Sequence, residues 1–282
     1  MTTLKFQIHQ FKPEKMVKHP AIILIAKRGS GKSFLIRDLI YSLHTYQQVP
    51  CGVVLSPTDK MSSYYKDFFP DLYIHYEINT EIFDKILKRQ ELMIEKRKIK
   101  FFKGKKLDVR ALLVMDDCGS KKQTWVKDEK ILDILMNGRH FKLTYILAMQ
   151  YSLGIGPDLR GNFDYIFLLN EDFHTNKKRI YEHYAGMFED FKIFLRVFKE
   201  CVENYSCMVI DNRKPSDDIS QKVFWYKGKN RSGQFTFGSK AFRKYHEKYY
   251  DVNYKKKLLN SKNTLNDICK KKNMPNIRIK KI

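Results

Sequence analysis

The stretch AIILIAKRGSGKSFLIRDLIYSLH, residues 21–44, decides the fold that we predict for this chain. Its first six residues form a continuous apolar run, which is typical of a strand buried on both faces of a sheet. A glycine-containing turn follows, and then apolar residues recur at helical spacing. The stretch therefore predicts a strand, a tight loop and a helix whose amino end is available to bind an anion.

The loop AKRGSGKS, residues 26–33, matches the pattern of a phosphate-binding loop at all but one position. Glycines there allow successive N–H groups to turn towards a β-phosphate. Lys32 is expected to reach the β- and γ-phosphates, and the Ser33 hydroxyl to bind Mg²⁺. The first glycine of GxxxxGK[ST] is replaced by Ala26, which we interpret as a conservative variant; a chance turn before a helix is the alternative. The residues expected to surround the nucleotide are Ala26, Lys27, Arg28, Gly29, Ser30, Gly31, Lys32, Ser33 and Phe34.

Apolar runs alternate with helical patterns further along the chain. Strands are predicted at 51–57, 111–115, 143–149, 164–169, 207–211 and 223–226, and helices at 33–44, 81–99, 127–137 and near 175–200. This alternation is typical of an α/β fold with a mostly parallel sheet and helices on both faces. With the phosphate loop, it predicts a P-loop ATPase domain with a C-terminal α/β elaboration over residues 1–252, which resembles P-loop NTPases of the RecA-like (ASCE) type. Residues 253–282 form a predicted basic tail with ten Lys or Arg residues and one acid.

Acidic and polar side chains end two of the predicted strands. ALLVMDD ends in Asp116 and Asp117, and LTYILAMQ ends in Gln150. Ligands of parallel sheets bind at the carboxyl ends of the strands. Asp116 is therefore expected to hold Mg²⁺, and Asp117 to orient or deprotonate an attacking water. Gln150 is expected to contact the γ-phosphate or that water, although turns and ordinary strand ends also carry such residues.

The chain of 282 residues has a formal net charge of +23. Such an excess attracts polyanions, with nucleic acid the first candidate and an anionic membrane the second. Solvated lysines from a lysine-rich genome are the plain alternative. The five cysteines form no CxxC pair, so neither a disulfide framework nor a zinc site is expected. No apolar run approaches the roughly 18 residues of a membrane span, and no signal peptide is recognisable, so we expect a cytoplasmic protein.

Four segments, AKRGSGKS, LLVMDD, NGRHFKLTYILAMQ and LRGNFDYIFLL, resemble the FtsK/HerA superfamily of DNA-pumping ATPases. The similarity is greatest to the genome-packaging ATPases of large nucleocytoplasmic DNA viruses and extends over residues 18–172. It implies an ATP-hydrolysing nucleic-acid translocase that uses ATP and Mg²⁺, with Ser33 and Asp116 as metal ligands. It also implies that the strand before Gln150 lies between the strands that precede the phosphate loop and Asp116. The implied catalytic residues are Lys32, Asp116, Asp117, Gln150, Arg139 and Arg160.

The resemblance further implies a homo-oligomeric ring of roughly five or six subunits around double-stranded DNA, bound without regard to sequence. Arg139 or Arg160 would reach the ATP of a neighbouring subunit as an arginine finger, with Arg139 favoured; a salt-bridged surface arginine is the alternative for each. The candidate DNA contacts are the basic cluster 96–110 and the tail. The tail is alternatively a docking segment for capsid or portal-type proteins. A viral member would act in the host cytoplasm or virus factory and be carried in the virion.

Three other functions fit parts of the pattern. A P-loop kinase would need an arginine-rich lid and an acceptor pocket, whereas the Asp-Asp pair and Gln150 favour hydrolysis. A nucleotide-regulated scaffold would not need Lys32, Asp116 and Asp117 together. A packaging enzyme with its own nuclease would need clustered acids, but those beyond residue 172 are scattered. We therefore predict a motor without an intrinsic nuclease.

Overall fold

The computed structural model describes residues 7–121, 127–151, 155–216 and 218–254, which build one α/β sheet structure. Within these ranges the strands are β1 (His9–Gln10), β2 (Ala21–Ile25), β3 (Gly52–Leu55), β4 (Ile74–His75), β5 (Ala111–Asp116), β6 (Leu143–Met149), β7 (Tyr165–Leu168), β8 (Ser206–Asp211) and β9 (Val223–Lys227). The helices are α1 (Lys32–Thr45), α2 (Asp59–Ser62), α3 (Thr80–Phe102), α4 (Glu129–Asn137), α5 (Pro157–Arg160), α6 (His174–Tyr184), α7 (Phe191–Val202), α8 (Ile219–Lys222) and α9 (Lys240–Tyr249).

The nine strands form a single sheet in the order β1-β9-β8-β7-β2-β6-β5-β3-β4. Strand β8 pairs antiparallel with both β7 and β9, and the other neighbouring pairs are parallel. The mostly parallel sheet predicted from the sequence is therefore confirmed. Strand β6 lies between β2 and β5, which is the order that the resemblance implies.

Both faces of the sheet are buried, as the continuous apolar runs predict. In β2, Ile22 and Leu24 pack into the core beneath α1, while Ile23 and Ile25 pack into the opposite core with residues of α3, α4, α6 and α7. This alternation follows from the two-residue period of a strand. The phosphate loop is thus attached to a strand that is fixed on both sides.

The predicted strands and helices are confirmed, with small shifts at their ends. The helical region near 175–200 consists of two helices, α6 and α7. Side-chain oxygens begin several helices by accepting hydrogen bonds from first-turn N–H groups. These capping residues are Asn79 in α3, Asp128 in α4, Asp190 in α7 and Ser239 in α9.

The segment after β9 is held against α1 by a buried carboxylate. Asp38 of α1 is completely buried and accepts hydrogen bonds from Tyr226 Oη (2.5 Å), Lys229 N (2.9 Å) and Arg231 Nε (2.7 Å). A buried carboxylate is tolerated when a cation and hydrogen bonds satisfy it. The helix that begins at Lys32 is therefore tied to the end of β9.

Helix α3 extends beyond the body of the protein. It has 23 residues, or roughly 35 Å at 1.5 Å per residue. Its buried residues lie in the first half, whereas every residue from 96 to 106 is exposed. We name residues 96–106 the basic arm. The last part of the predicted cluster 96–110 is different, because Val109 is buried and Arg110 pairs with Asp108 at 2.5 Å.

In the described part of the chain, no helix combines the length and apolar character needed to cross a membrane. The predicted tail, apart from residues 253 and 254, lies outside the described residues. The division into domain and tail at residue 252 therefore stays a prediction.

Candidate nucleotide site

The predicted phosphate loop connects β2 to α1 at the carboxyl edge of the sheet. Gly29 and Gly31 adopt left-handed backbone angles, with φ of 79° and 90°, which glycine adopts without steric cost. Ala26 is 1% exposed, has no such angle, and donates its N–H to Met149 O at 2.9 Å. Replacement of the first glycine by alanine therefore causes no backbone strain. Gly31 O accepts the Leu35 N–H at 3.0 Å and begins α1.

Lys32 brings the loop together with both predicted carboxylates. Its Nζ lies 3.0 Å from Asp116 Oδ1 and forms an ion pair with Asp117 Oδ1. Gln150 Nε2 donates to the same Asp117 oxygen at 3.0 Å. Four residues from three separate parts of the chain therefore meet at one point, as the sequence predicts.

Asp116 is the buried member of the carboxylate pair, 3% exposed at the end of β5. Burial raises its pKa above the ordinary value, although the Lys32 ammonium opposes that shift. The Tyr65 hydroxyl donates to Asp116 Oδ2 at 3.0 Å. Because burial also raises the pKa of Tyr65, this phenol stays protonated and remains a donor. Asp116 is thus held in one orientation by a neutral group.

Asp117 points to a different place because its backbone turns to φ 53°. Aspartate tolerates this left-handed conformation better than most residues. Thr58 Oγ1 donates to its Oδ2 at 3.2 Å. Burial would raise the pKa of Asp117, but hydrogen bonds from Lys32, Gln150 and Thr58 outweigh it and hold this pKa below the ordinary value. Asp117 is therefore an ionised carboxylate in this arrangement.

Three residues of the site were not predicted from the sequence: Thr58, Tyr64 and Tyr65. Thr58 follows the predicted strand 51–57, so the rule that ligands meet at carboxyl strand ends applies to it as well. Tyr64 Oη donates to Ser33 O at 3.1 Å and so braces the first turn of α1. The two tyrosines lie in an irregular segment whose sequence has no periodicity, so no signal in it indicates their position.

The donor set fits a magnesium ion. Asp116 Oδ1 is buried beside Lys32 without a hydrogen bond of good geometry from the described residues. Mg²⁺ prefers carboxylate, hydroxyl and phosphate oxygens. Ser33, the last residue of the loop motif 26–33, is the second residue of α1 and supplies such a hydroxyl. Ser33 and Asp116 are thus suitable ligands for a nucleotide-bound Mg²⁺.

Lys27 and Phe34 lie at the borders of the loop. Lys27 Nζ forms an ion pair with Asp172, which follows β7, and Ser30 Oγ donates to Lys27 O at 2.7 Å. Phe34 is 41% exposed. Arg28 is exposed as well. The loop therefore presents two cations and an aromatic ring around its glycines.

Arg139 lies at the amino ends of the parallel strands, whereas the phosphate loop lies at their carboxyl ends. It precedes β6, whose seven residues separate the two edges by roughly 20 Å. Its guanidinium pairs with the buried Asp164, yet 63% of the side chain is exposed. A methyl group on Gly138 would lie 3.2 Å from the Tyr145 ring and 2.6 Å from Ile134 O, so glycine is needed there. Arg139 is thus both salt-bridged and exposed, which is compatible with an arginine finger and with a salt-bridged surface arginine.

Arg160 is held more firmly inside the subunit. Its Nε donates to Ile155 O at 3.0 Å, and its Nη1 lies 2.8 Å from His183 Nδ1. Its guanidinium also approaches the Tyr184 ring at 5.7 Å. Burial and the nearby Arg160 charge lower the pKa of His183, so the neutral imidazole can accept a hydrogen bond from a guanidinium N–H. These contacts favour a structural role for Arg160.

Comparison with known proteins assigns this arrangement to a family. The model of the poxvirus A32 protein family matches residues 8–213, which include the loop, the carboxylate pair, Gln150 and both arginines. The chain belongs to the poxvirus A32 protein family. The expected relationship to viral packaging ATPases is confirmed at this level.

Relatives of this A32-family protein occur in large DNA viruses. It is 50% identical to uncharacterized protein L437 of Acanthamoeba polyphaga mimivirus over 279 residues, covering 98% of this chain and 96% of the relative. It is 34% identical to uncharacterized protein 015R of Frog virus 3 over 225 residues, covering 79% of this chain and 66% of the relative.

A solved structure with a similar fold is the genome packaging NTPase B204 from Sulfolobus turreted icosahedral virus 2 in complex with ATP-gammaS. It has a TM-score of 0.53 and 17% identity, and the match covers 75% of this chain and 98% of B204. The similarity confirms the predicted fold. In this A32-family protein, β9 and α9 lie beyond the part that the family model matches.

Proposed function

We propose that this protein is a Mg²⁺-dependent ATPase that moves double-stranded DNA, without regard to sequence, as one subunit of a ring. The observation that carries the proposal is the meeting of Lys32 with Asp116 and Asp117. This arrangement places a phosphate-binding cation beside a metal ligand and a base. The fold shared with a viral genome packaging NTPase supports a role in packaging DNA.

Each residue of the site has a separate role in the proposed hydrolysis. The N–H groups of the loop and Lys32 bind the phosphates, while Ser33 and Asp116 would hold Mg²⁺, whose charge offsets the charge that develops on the phosphates. When Lys32 turns to the phosphates, Asp117 loses the strongest contact that lowers its pKa. Its carboxylate then becomes a better base towards a water that Gln150 helps to orient.

The proposal predicts ATP turnover that depends on Lys32 and increases with duplex DNA. Replacing Lys32 by alanine removes a charge-assisted contact worth about 1.5–3 kcal/mol, so ATP affinity should fall by roughly 10- to 150-fold. Turnover should be lost at ATP concentrations that saturate the wild-type protein. Lys85→Ala is the matched control, because this lysine is exposed on α3 and pairs with Glu81.

The measurement is the formation of ADP and the release of inorganic phosphate by the purified protein with Mg²⁺, with and without duplex DNA. Wild-type turnover in Lys32→Ala would contradict the ATPase proposal. Turnover that requires a small-molecule acceptor and ignores DNA would instead indicate the kinase. Binding of ATP without turnover would indicate the scaffold.

Of the described segments, the basic arm is best suited to bind the DNA backbone. Its lysines and arginine project from the body together with exposed apolar residues, among them Phe101 at 77% and Phe102 at 87% exposure. Within the described residues, Lys96, Lys100 and Lys103 form no ion pair, and their spacing places them on one helical face. Lysines of this kind bind phosphates and carry no base information.

Changing Lys96, Lys100 and Lys103 to glutamine should flatten the plot of log K against log salt by about 3, since each phosphate contact contributes about 0.9. The matched control changes Lys85, Lys88 and Lys178, which are also exposed but pair with Glu81, Asp84 and Glu182. Titration of unrelated duplexes at several salt concentrations gives the slopes. If the two triple variants change the slope equally, DNA affinity depends on the net charge of the protein and not on contacts made by the basic arm.

The remaining partners follow from the same proposal. A packaging motor works against a capsid, so capsid or portal-type proteins are its expected protein partners, and the tail is available for that contact or for DNA. The expected location is the host cytoplasm or virus factory, and the virion.

A further inference from the structure

We propose that Tyr205 stacks on the base of the nucleotide whose phosphates lie in the loop 26–33. This inference rests on the proposed nucleotide binding. Tyr205 ends the short 3₁₀ segment Glu203–Tyr205 immediately before β8. A methyl group placed on Gly31 would lie 4.0 Å from Cδ1 of Tyr205, so the ring stands directly beside the phosphate loop.

The pairing of β8 with β9 holds Tyr205 in this place. Ser206 is paired with Lys227 in an antiparallel register, so the next step along the strands sets Tyr205 opposite Gly228. Gly228 packs on the first turn of α1, where an added methyl group would lie 3.3 Å from Phe34 Cδ1. The ends of two adjacent strands thus border the start of α1, and Tyr205 is the large side chain among them.

The orientation of a bound triphosphate places the nucleotide base on the side of β2 where Tyr205 lies. Strands β6 and β5, with the carboxylates and Gln150, lie on one side of β2, while β7, β8 and β9 lie on the other. The γ-phosphate must face the carboxylate side, because the metal ligand Asp116 and the base Asp117 are there. The sugar and base then extend to the opposite side, where β8 begins.

Neither packing nor stability explains the conformation of Tyr205. The residue is 80% exposed, and its φ of 61° follows a φ of 54° at Asn204. This left-handed conformation costs a residue such as Tyr205 roughly 1–2 kcal/mol, whereas asparagine tolerates it better. Among the described residues, the Tyr205 side chain makes no hydrogen bond or ring contact that would offset this strain. Strained residues of this kind cluster at ligand sites, where the ligand makes the missing contacts.

The chemistry of the ring suits a nucleobase. A phenol ring offers a flat apolar face with a polar edge, and it loses little conformational entropy when it is buried by a ligand. Stacking accepts any base, because every base has a π-face. We therefore expect Tyr205 to contribute to affinity for ATP and GTP alike, and not to select between them.

The experiment compares Tyr205→Gly, Tyr205→Phe and Asn204→Gly by calorimetric titration with ATP, GTP and inorganic tripolyphosphate in the presence of Mg²⁺. Loss of one stacked base contact should weaken both nucleotides by roughly 5- to 150-fold in Tyr205→Gly. Its affinity for tripolyphosphate, which has no base, should not change. Tyr205→Phe should bind like the wild type, since it keeps the ring.

Asn204→Gly is the matched control for the backbone. Glycine adopts the left-handed conformation without steric cost, so Tyr205→Gly should melt at or above the wild-type temperature and Asn204→Gly close to it. Asn204→Gly should nevertheless keep full nucleotide affinity. A gain in thermal stability together with a loss of affinity, confined to Tyr205→Gly, is the signature of a ligand-contacting residue.

Other results overturn the inference in distinguishable ways. If Tyr205→Gly binds ATP as the wild type does, the ring makes no contact, and the proposed ATPase function stands. If it loses tripolyphosphate and ATP equally, Tyr205 is structural. If the wild-type protein binds neither ligand, the proposed function fails and this inference fails with it.

Discussion

Asp117→Asn is expected to bind ATP normally and to slow turnover by about 10²–10⁴-fold, the usual contribution of a general base. Asparagine keeps the size and can keep the contacts with Thr58 and Gln150, but it cannot accept a proton. Its neutral amide also removes an ion-pair partner of Lys32, which leaves that cation freer to bind phosphate. The variant should therefore retain ATP while barely hydrolysing it.

Asp116→Asn is the comparison that separates the two carboxylates. Because Asp116 is the buried, tyrosine-bonded member, its loss should raise the Mg²⁺ concentration needed for half-maximal turnover. Single-turnover hydrolysis and equilibrium ATP binding, each measured over a range of Mg²⁺ concentrations, distinguish the effects. Wild-type rates in both variants would mean that the pair forms only a turn at the end of β5.

The convergence of Lys32, Asp116, Asp117 and Gln150 was predictable because each follows a strand that is recognisable on its own. Continuous apolar runs identify buried parallel strands, and parallel strands bring their carboxyl ends to one edge. The order of β2, β6 and β5 was implied by the resemblance and is confirmed. Neighbouring strands cannot be ordered from periodicity alone, since each run is equally apolar.

Other parts of the fold and of the site depend on tertiary structure that leaves no periodic signal. β1 and β4 have two residues each, too few to show alternation. The antiparallel direction of β8 is set by where its chain enters the sheet, and that direction is what brings Tyr205 to the loop. Tyr64 and Tyr65 act from an irregular segment, where one polar residue resembles any other.

The two edges of the sheet have different chemistry, and this difference bears on assembly. The carboxyl edge has the predicted phosphate loop and the proposed base Asp117 but, among the described residues, no arginine contacts the carboxylate pair. The amino edge presents Arg139, whose guanidinium is tethered to Asp164 and largely exposed. Because roughly 20 Å of sheet separates the edges, Arg139 cannot serve its own loop. It can complete a site only on a neighbouring subunit.

Arg139→Ala is therefore expected to slow ATP turnover of the assembled protein by about 10³–10⁵-fold, the effect of removing a trans-acting arginine in other nucleotide hydrolases. Mixing it with Lys32→Ala subunits should restore part of the activity, because some interfaces then join an intact loop to an intact arginine. Such rescue requires that Arg139→Ala subunits are folded and that their own loop works. It thus excludes a simple loss of stability from the broken pair with Asp164.

The mixing experiment needs Arg160→Ala as its control. That arginine is bound to Ile155 and His183 within the subunit, so we expect its removal to lower thermal stability and not to be rescued by Lys32→Ala subunits. Turnover is measured across mixing ratios, with assembly checked by light scattering. If assembled mixtures of Arg139→Ala and Lys32→Ala stay inactive at every ratio, Arg139 does not reach the neighbouring site. Its exposed guanidinium would then be explained by the pair with Asp164 alone.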